Sequence, residues 1–355
     1  MKARLLLAGY LGCGNYGDDA ILLGFLEGIA PYGYEYSILA SNPEKLMRTY
    51  GLTAVARFDA SQVKHAIAES DALVFPGGSV FQDVSSVRSV LYYASLVRSA
   101  KRAKKKVIML GQGVGPLNTF FGKRFAKGAF DRADVLMVRD PQSAQTIKSL
   151  GCRANPRAAA DMAFLLPDPD LSNAPAFSAG GLKTVGLSIR PYGRMTPKIV
   201  ETFSELAQLL FKAGWMPVMM GLDENEDFAL MDQISKKNGG KVPDLKGVSG
   251  PVPLQQRIAR MDAVIAMRLH AGILAATVGV PPYMVSYDPK VNAFANSLGL
   301  ATPPAIEGLT AQRILDGFTT FIKDRERVSD SLVRRREDLR SQAMENIKAL
   351  HEALG

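Results

Sequence analysis

The sequence predicts an α/β protein of two domains, each built on a doubly wound parallel sheet. The chain has 355 residues, which is too long for one ordinary domain and suits two. Short apolar segments alternate with longer stretches of helical period, which is the pattern of β-α-β-α chains. Apolar residues make up 47% of the chain, so each half has material for its own core.

Six apolar segments of the first half are predicted strands. Most are continuously apolar, as in strands that are covered on both faces. They cover residues 4–9, 35–40, 53–57, 72–75, 106–111 and 135–139. The helical patterns between them include residues 19–29, 63–69 and 86–103. The first half is therefore expected to form a Rossmann-like domain over residues 1–170.

A proline-rich stretch and a Gly180-Gly181 pair within residues 151–182 predict a linker. A second alternating series follows, with strands at 184–189, 216–220, 263–266 and 283–286 and helices at 198–213, 226–237 and 254–260. It predicts a second Rossmann-like domain over residues 180–325. Residues 326–355 are charged and helical in period, so we expect a final helix that packs on one domain or crosses between the two.

Ligands of open α/β sheets bind at the carboxyl ends of the strands. Two such domains therefore predict a cleft between the carboxyl ends of their two sheets.

Composition excludes several classes of protein. The normal share of apolar residues rules out disorder, and two cysteines with three histidines are too few for a disulfide framework or a zinc centre. The net charge of +9 favours acidic partners such as phosphates, carboxylates, nucleic acid or an anionic membrane. The short apolar segment at residues 5–9 is predicted to be a buried strand and not a signal peptide. No segment is long enough to span a membrane. We therefore expect a cytoplasmic protein.

A glycine-rich turn follows the first predicted strand. Its pattern Gly12-x-Gly14-x-x-Gly17 has the letters of a dinucleotide fingerprint, but Asp18 and Asp19 stand where a pyrophosphate would lie. Acidic side chains at a helix start suit sugar hydroxyls better than a dianion. The alternative is a plain turn in which Asp18 or Asp19 caps the helix.

Two further loops with glycines follow the fourth and fifth predicted strands. Gly77 and Gly78 allow close approach of a ligand to the backbone, and Gln82, Asp83 and Gln112 offer hydrogen bonds to a polyol. Tight turns with capping side chains are the alternative for any single residue. Three such loops at one sheet edge favour a binding site.

The second half places cations after its strands. Arg268 and His270 directly follow the strand at 263–266, Arg190 ends another, and Lys290 lies beyond the last. The arginine offers a forked donor for phosphate or carboxylate, and the imidazole can accept a proton from a hydroxyl. A lone histidine is more often structural, but a cation, a base and a helix start together favour a site. Arg139, after the sixth strand of the first half, is either a surface partner of Asp140 or a further cation of the cleft.

A run of cations at residues 101–106 ends a predicted helix. Favourable placement at the negative end of the helix dipole explains it slightly better than peripheral contact with the anionic inner face of the cytoplasmic membrane. The run lacks the interleaved aromatics of a nucleic-acid groove, so no nucleic-acid partner is expected.

Four motifs in this order resemble the polysaccharide pyruvyltransferase family. They are Gly14-Asn15-Tyr16-Gly17-Asp18-Asp19-Ala20, Gly77-Gly78-Ser79-x-Phe81-Gln82-Asp83, Gly111-Gln112-Gly113-Val114-Gly115-Pro116 and Arg268-Leu269-His270. The resemblance covers roughly residues 4–320 and is greatest to the bacterial branch that pyruvylates cell-wall polymers for anchoring surface-layer proteins. Ser79 stands where a third glycine is usual, and Asp19 where glutamate is common.

The resemblance implies a fold like that of glycosyltransferase-B enzymes and a transfer from phosphoenolpyruvate to two hydroxyls of a lipid-linked glycan sugar, forming a cyclic ketal and releasing phosphate. No metal or further cofactor is implied. His270 is the expected general base, and Asp18 or protonated His270 the acid. The residues expected to bind phosphoenolpyruvate are Arg139, Arg190, Arg268, Leu269 and Lys290. Those expected to bind the acceptor are Asn15, Gly17, Asp19, Gly77, Gly78, Gln82, Asp83 and Gln112.

Two other functions compete with this one. A glycosyltransferase with a nucleotide-sugar donor shares the two domains, the glycine-rich loops and the cations, and it predicts binding of a nucleoside diphosphate. A non-catalytic basic module that docks on a membrane or nucleic acid predicts steep salt dependence and no turnover. The position of Arg268 and His270 after a strand argues against the second.

Overall fold

A computed structural model describes residues 2–84, 86–172, 174–177 and 180–355 of the chain. The chain divides into two compact units, Met1–Pro167 with Leu339–Gly355, and Asp168–Asp338. The predicted linker, 151–182, includes Asn173, Ser178 and Ala179, which lie outside the described residues. Each unit has its own buried apolar core around a parallel sheet, so the predicted fold class is confirmed.

The first unit contains an eight-stranded sheet in which every pairing is parallel. Its strands are β1 (Arg4–Leu7), β2 (Glu35–Ala40), β3 (Ala54–Ala56), β4 (Ala72–Phe75), β5 (Gly78–Phe81), β6 (Lys106–Val114), β7 (Val135–Val138) and β8 (Arg157–Ala158). The order is β3-β2-β1-β4-β6-β7-β8, with β5 pairing on β6. Leu5 of β1 lies opposite both Tyr36 and Ala72. The chain thus builds outward on one side of β1 and then switches to the other side at β4, and ligands of such sheets bind at that switch.

Six helices connect these strands. They are α1 (Tyr16–Ile29), α2 (Pro43–Tyr50), α3 (Ala60–Glu69), α4 (Val87–Arg102), α5 (Phe120–Phe130) and α6 (Pro141–Ser149). Buried faces of α4 and α5 pack on the sheet through residues such as Val90, Val97 and Phe130. The continuous burial of β4 shows that this strand is covered on both faces, as its apolar sequence predicts.

The second unit contains a four-stranded parallel sheet in the order β10-β9-β11-β12. Its strands are β9 (Lys183–Ser188), β10 (Trp215–Met219), β11 (Ala263–Ala266) and β12 (Pro282–Met284). Its helices are α7 (Thr196–Lys212), α8 (Phe228–Lys237), α9 (Pro251–Ile258), α10 (Leu269–Thr277), α11 (Pro289–Ser297), α12 (Ala311–Lys323) and the first part of α13 (Arg325–Leu354). The switch of direction lies between β9 and β11, so the loops after these two strands occupy the expected binding edge.

The last turns of α13 belong to the first unit. Asn346 is fully buried there; its Oδ1 accepts a hydrogen bond from the Gly111 amide at 2.8 Å, and its Nδ2 donates to the Ala160 carbonyl at 3.1 Å. Ile347 and Leu350 of the same helix are also buried. Residues 339–354 are therefore an integral layer of the first unit.

Several predicted element boundaries are corrected by the structure. The glycine-containing segment after β4, predicted as a turn, forms β5, because Gly78 pairs with Gln112 and thereby extends β6 to Val114. The two-residue β8 and the helices α11 and α12 were not predicted. Within the described residues, no helix combines the length and the apolar composition needed to cross a bilayer.

Candidate functional site

In the first unit, the carboxyl ends of β1 and β4 carry the predicted acceptor residues of the first two loops. Asn15, rather than Asp18 or Asp19, caps α1, because its Oδ1 accepts hydrogen bonds from the amides of Gly17 at 3.0 Å and Asp18 at 3.4 Å. The helix therefore begins at Tyr16, earlier than predicted. This correction places Asp18 in the first turn of α1 instead of ahead of it.

Asp18 lies against the second glycine-containing loop. A Cβ atom added to Gly78 would come within 2.8 Å of Asp18 Oδ1, and one added to Gly77 would come equally close to the side chain of Ile21 in α1. Gly78 also has a positive φ of 85°, a conformation that glycine adopts without strain. Asp18, Gly77 and Gly78 are thus brought together at the switch between β1 and β4.

Asp19 is buried and bonded within its own unit. Its Oδ1 accepts from the Gly12 amide and its Oδ2 from the Tyr50 hydroxyl, both at 2.8 Å. Burial raises the pKa of Asp19 to about 6. The structure gives this side chain a role in fixing the turn after β1, with little surface left for a sugar.

Asp83 and Gln112 are likewise engaged by the fold. Asp83 accepts hydrogen bonds from the Asn118 amide at 2.7 Å and from the amide and hydroxyl of Thr119 at 2.8 and 2.6 Å. Partial burial alone would raise the pKa of Asp83, but the hydrogen bonds from Thr119 and Asn118 lower it on balance. Gln112 is fully buried, and its Nε2 donates to the Leu110 carbonyl at 2.9 Å. Asp83 therefore fixes the start of α5, and Gln112 is bonded to the backbone of β4 and β6.

Gln82 is half-buried beside them. Its Oε1 accepts a hydrogen bond from the Val84 amide at 2.9 Å. Its side chain thereby turns back on its own loop after β5.

Arg139 is buried in the first unit and paired there. Its Nη1 lies 2.8 Å from Asp161 Oδ2, and its Nη2 donates to Ser79 Oγ at 3.0 Å. A Cβ atom on Gly113 would lie 2.6 Å from Arg139 Nη2, so this glycine makes room for the guanidinium. The serine that replaces the usual third glycine thus receives a hydrogen bond from Arg139. This arrangement joins β5, the end of β7 and residue 161. Asp140 also lies 3.7 Å from Arg139 Nε, as one alternative of the sequence expected, but the pair is buried and not at the surface.

In the second unit, Arg268 stands at the carboxyl end of β11 and is held by two acids. Its Nε lies 3.1 Å from both carboxylate oxygens of Asp227, which is fully buried, and its Nη2 lies 2.7 Å from Glu226 Oε2. Asp227 in turn accepts from the amides of Leu222 and Asp223. The guanidinium is therefore fixed in orientation. Among the described residues, no hydrogen bond to its Nη1 is found.

Arg190 and Lys290 meet at Tyr287, which follows β12. Arg190 Nη1 donates to the Tyr287 hydroxyl at 2.8 Å and its guanidinium carbon lies 4.5 Å from the ring centroid, while Lys290 Nζ lies 5.5 Å from that centroid. Burial alone would raise the pKa of Tyr287, but the charges of Lys290 and Arg190 lower it on balance. The loops after β9 and β12 thus bring two cations to one tyrosine, with Glu226 4.0 Å from Arg190 Nη2 and Asp288 3.8 Å from Lys290 Nζ as their acidic neighbours.

Leu269 and His270 open α10 directly after Arg268. Leu269 is buried and His270 is half-buried. The helix start adds peptide N–H groups to an edge that already carries Arg268, and such groups favour anions. The second unit thus places Arg190, Arg268, Lys290 and His270 on the loops after β9, β11 and β12.

The sequence analysis missed the residues that hold these cations in place. Glu226 and Asp227 were assigned to the start of a helix, although they belong to an acidic segment that directly follows β10. Because β10 neighbours β9 in a parallel sheet, the segment after β10 reaches the same carboxyl edge as Arg190 and Arg268. Its position after a strand could therefore have identified these acids as partners of the cations. Tyr287 carried no signal beyond its position after a strand. Among the described residues, no three His, Cys, Asp or Glu side chains gather as a metal site.

The chain is similar in sequence to one known protein family and in fold to several solved structures. A family model named polysaccharide pyruvyl transferase matches residues 15–289. The amylovoran biosynthesis protein AmsJ of Erwinia amylovora is 23% identical, over 84% of this chain and 86% of that protein. Anabaena HepE in complex with UDP-glucose has a TM-score of 0.64 at 12% identity, and a glycosyltransferase from Rickettsia africae has 0.63 at 10%, each over 99% of both chains.

The fold is glycosyltransferase-B-like, with two Rossmann-like units. The chain belongs to the polysaccharide pyruvyl transferase family, because the family model matches well over half of it. It is therefore a pyruvyltransferase of polysaccharide biosynthesis, which confirms the family expected from the four motifs.

Proposed function

We propose that the enzyme takes its pyruvyl group from phosphoenolpyruvate and attaches it to two hydroxyls of one sugar of a lipid-linked glycan, forming a cyclic ketal and releasing phosphate. The donor is assigned to the loops after β9, β11 and β12, and the acceptor sugar to the loops after β1 and β4. The observation that carries the donor assignment is the meeting of two cations at Tyr287: Arg190 Nη1 donates to its hydroxyl at 2.8 Å, and Lys290 Nζ lies 5.5 Å from its ring centroid.

The donor needs several fixed cations, because it carries a phosphate and a carboxylate on three carbons. Arg190 and Lys290 flank Tyr287, and Arg268 is oriented by Asp227 so that Nη1 remains for a ligand. A guanidinium held in this way loses little freedom when it binds an anion. We assign Arg268 Nη1 and Arg190 to the two anionic groups and Lys290 to the phosphate.

The first chemical step adds one sugar hydroxyl to the central carbon of the donor. A C–O bond forms at C2, the C2=C3 double bond becomes single, and C3 gains a proton to become a methyl group. His270 accepts the hydroxyl proton as general base. Protonation of C3 is assigned to protonated His270, with Asp18 as the alternative acid.

The second step closes the ring. The second hydroxyl attacks C2, the bond from C2 to the phosphate oxygen breaks, and phosphate leaves with the electron pair and takes up the hydroxyl proton. After both hydroxyls have bonded to C2 and phosphate has left, C2 is a ketal carbon that bears a methyl and a carboxylate group. The fixed cations stabilise the charge on the departing phosphate.

The acceptor assignment rests on the edge at Asp18. Asp18 is half-buried, and its carboxylate offers acceptors that suit neighbouring sugar hydroxyls, while the buried glycines Gly77 and Gly78 let the loop after β4 lie directly against it. Asn15 and Gly17 hold the first turn of α1 in place. We propose that the sugar belongs to a cell-wall polymer of the kind that anchors surface layers, with an N-acetylmannosamine residue as the first acceptor to test.

The experiment is incubation of the full chain with phosphoenolpyruvate and a panel of lipid-linked and synthetic disaccharides. The expected result is release of one phosphate per acceptor together with a gain of about 70 Da, the mass of the donor less phosphoric acid when two hydroxyls add. Parallel incubation with UDP-glucose tests glycosyl transfer.

Two controls make the result decisive. His65→Ala removes the exposed histidine of α3 and is expected to keep full activity, whereas His270→Ala is expected to lose it. A hexose added from UDP-glucose, with no phosphate released from phosphoenolpyruvate, would refute the proposed donor.

A further inference from the structure

The helix pair α4 and α5 of the first unit carries an unbalanced positive charge. The two helices contain Arg88, Arg98, Lys101, Arg102, Lys123, Arg124 and Lys127 and not one Asp or Glu. These seven cations compare with a net charge of +9 for the whole chain. Lys101 and Lys127 pair with Asp134 and Asp131 just beyond the helices, so five of the seven cations remain as net positive charge on this helix pair.

Part of this charge lines a groove between the two helices. The groove has a volume of about 280 Å³, and its charged lining consists of Arg98, Arg124, Lys127, Arg132 and the single acid Asp131. Asp131 pairs with Lys127 at 3.0 Å, so the acid is already neutralised. The remaining arginines leave the groove positive and wide enough for an anionic headgroup.

Two phenylalanines project from the same surface. Phe120 and Phe121 open α5 with 73% and 61% of their areas exposed, and their rings contact each other at a centroid distance of 5.6 Å. Phe120 stands one turn before Arg124, so both share a helix face. On α4, Leu91 is also exposed and lies seven residues before Arg98 on one face. Exposed apolar side chains beside cations are the pattern of a helix surface that lies on a membrane.

We propose that this α4/α5 surface (Arg88, Leu91, Arg98, Phe120, Phe121 and Arg124) docks the enzyme on an anionic lipid bilayer. The phenylalanines insert at the level of the headgroups and the arginines bind lipid phosphates. The run at residues 101–106, which the sequence offered as a membrane contact, is partly engaged elsewhere, since Lys101 pairs with Asp134 and Lys105 donates to the Ala68 carbonyl. Docking is therefore assigned to the α4/α5 surface.

The surface begins at the edge to which the acceptor sugar is assigned. Thr119 caps α5 just before Phe120 and bonds to Asp83, and both belong to the loops that follow β5 and β6. Docking would hold this edge of the first unit at the headgroup level, where the sugar of a lipid-linked glycan resides. This last step rests on the proposed function, whereas the docking itself does not.

The test is flotation of the full chain with vesicles of phosphatidylcholine containing about one-third phosphatidylglycerol. We expect binding that is absent with pure phosphatidylcholine and that weakens as salt rises. Phe120→Ser with Phe121→Ser is expected to lower the partition coefficient on the order of tenfold. Arg98→Gln with Arg124→Gln is expected to lower it about fivefold per arginine.

Matched controls come from the same unit. Phe58→Ser removes an equally exposed phenylalanine, and Arg48→Gln with Lys64→Gln removes two exposed cations of α2 and α3; all should float like the wild type. Activity on a soluble disaccharide should be unchanged in every surface variant, so failure of docking and failure of pyruvyl transfer are separable. Equal binding by all variants, absence of binding, or preferential binding to single-stranded RNA that survives the phenylalanine changes would overturn the proposal.

Discussion

Asp227 holds the guanidinium of Arg268 with both of its carboxylate oxygens, each 3.1 Å from Nε. Asp227 is fully buried and Arg268 nearly so, so neither charge has water to replace its partner. The arginine is therefore needed for stability as well as for binding.

Arg268→Ala is expected to destabilise the second unit by about 3–5 kcal/mol, because it leaves a buried carboxylate without its cation. Denaturant titration followed by circular dichroism measures the loss. Arg268→Ala with Asp227→Ala should recover part of it, since no unpaired charge remains. Equal stability of the single and double variants would contradict the pairing.

Replacing His270 is expected to reduce turnover without unfolding the chain. His270→Ala removes the assigned base, and kcat should fall by roughly 10²–10⁴-fold while the KM for phosphoenolpyruvate changes little. Steady-state phosphate release measures both constants, with His65→Ala as the matched variant. A kcat within a few fold of the wild type would remove His270 from its role.

Tyr287 should report the arrival of an anion. The cations Lys290 and Arg190 lower its pKa on balance, and a bound phosphate or phosphoenolpyruvate would oppose their effect and move the ionisation to higher pH. The difference in ultraviolet absorbance between wild type and Tyr287→Phe follows this one tyrosine. No movement on addition of phosphoenolpyruvate would place the donor elsewhere.

Arg190→Lys should raise the KM for phosphoenolpyruvate about tenfold, because an ammonium group cannot both stack on Tyr287 and bond its hydroxyl while it contacts the ligand. Initial rates at varied donor concentration measure the effect. Arg194→Lys, an exposed arginine nearby in sequence, serves as the comparison and should leave the KM unchanged.

Asp19 makes stability depend on pH. Folded Asp19 keeps its proton up to about pH 6, whereas the ordinary value is 3.8; the folded state therefore binds more protons between these values, and stability falls as pH rises through this window. The cost at neutral pH is about 3 kcal/mol. Asp19→Asn should remove this slope in denaturant titrations from pH 4 to 7, and an unchanged slope would contradict the buried carboxyl.

Strands β4 and β11 were predictable because burial on both faces demands an unbroken apolar run, and both show one. Strand β5 was not predictable, since Gly77 precedes it and Gly78 begins it, and the segment is a strand only because Gly78 and Phe81 pair with Gln112 and Val114 of β6. The cations of the second unit were found from their positions after strands.

The fates of Asp19, Asp83 and Gln112 could not be predicted in the same way. A polar residue beside a glycine turn can bind a ligand or bond to the protein itself, and the side chains packed around it decide which. For Asp19 and Asp83 these are Tyr50 and Thr119, which are distant from them in sequence. The partner of Arg268 lies 41 residues earlier, so its pairing depends on the order of the strands in the sheet.

Residues 339–355 complete the first unit, although the rest of that unit ends at residue 167. During translation the amino-terminal sheet is synthesised before the segment that carries Asn346. The Gly111 amide and the Ala160 carbonyl therefore cannot form their hydrogen bonds to Asn346 until the intervening unit has also been synthesised. The first unit can therefore be completed only after the second has been synthesised.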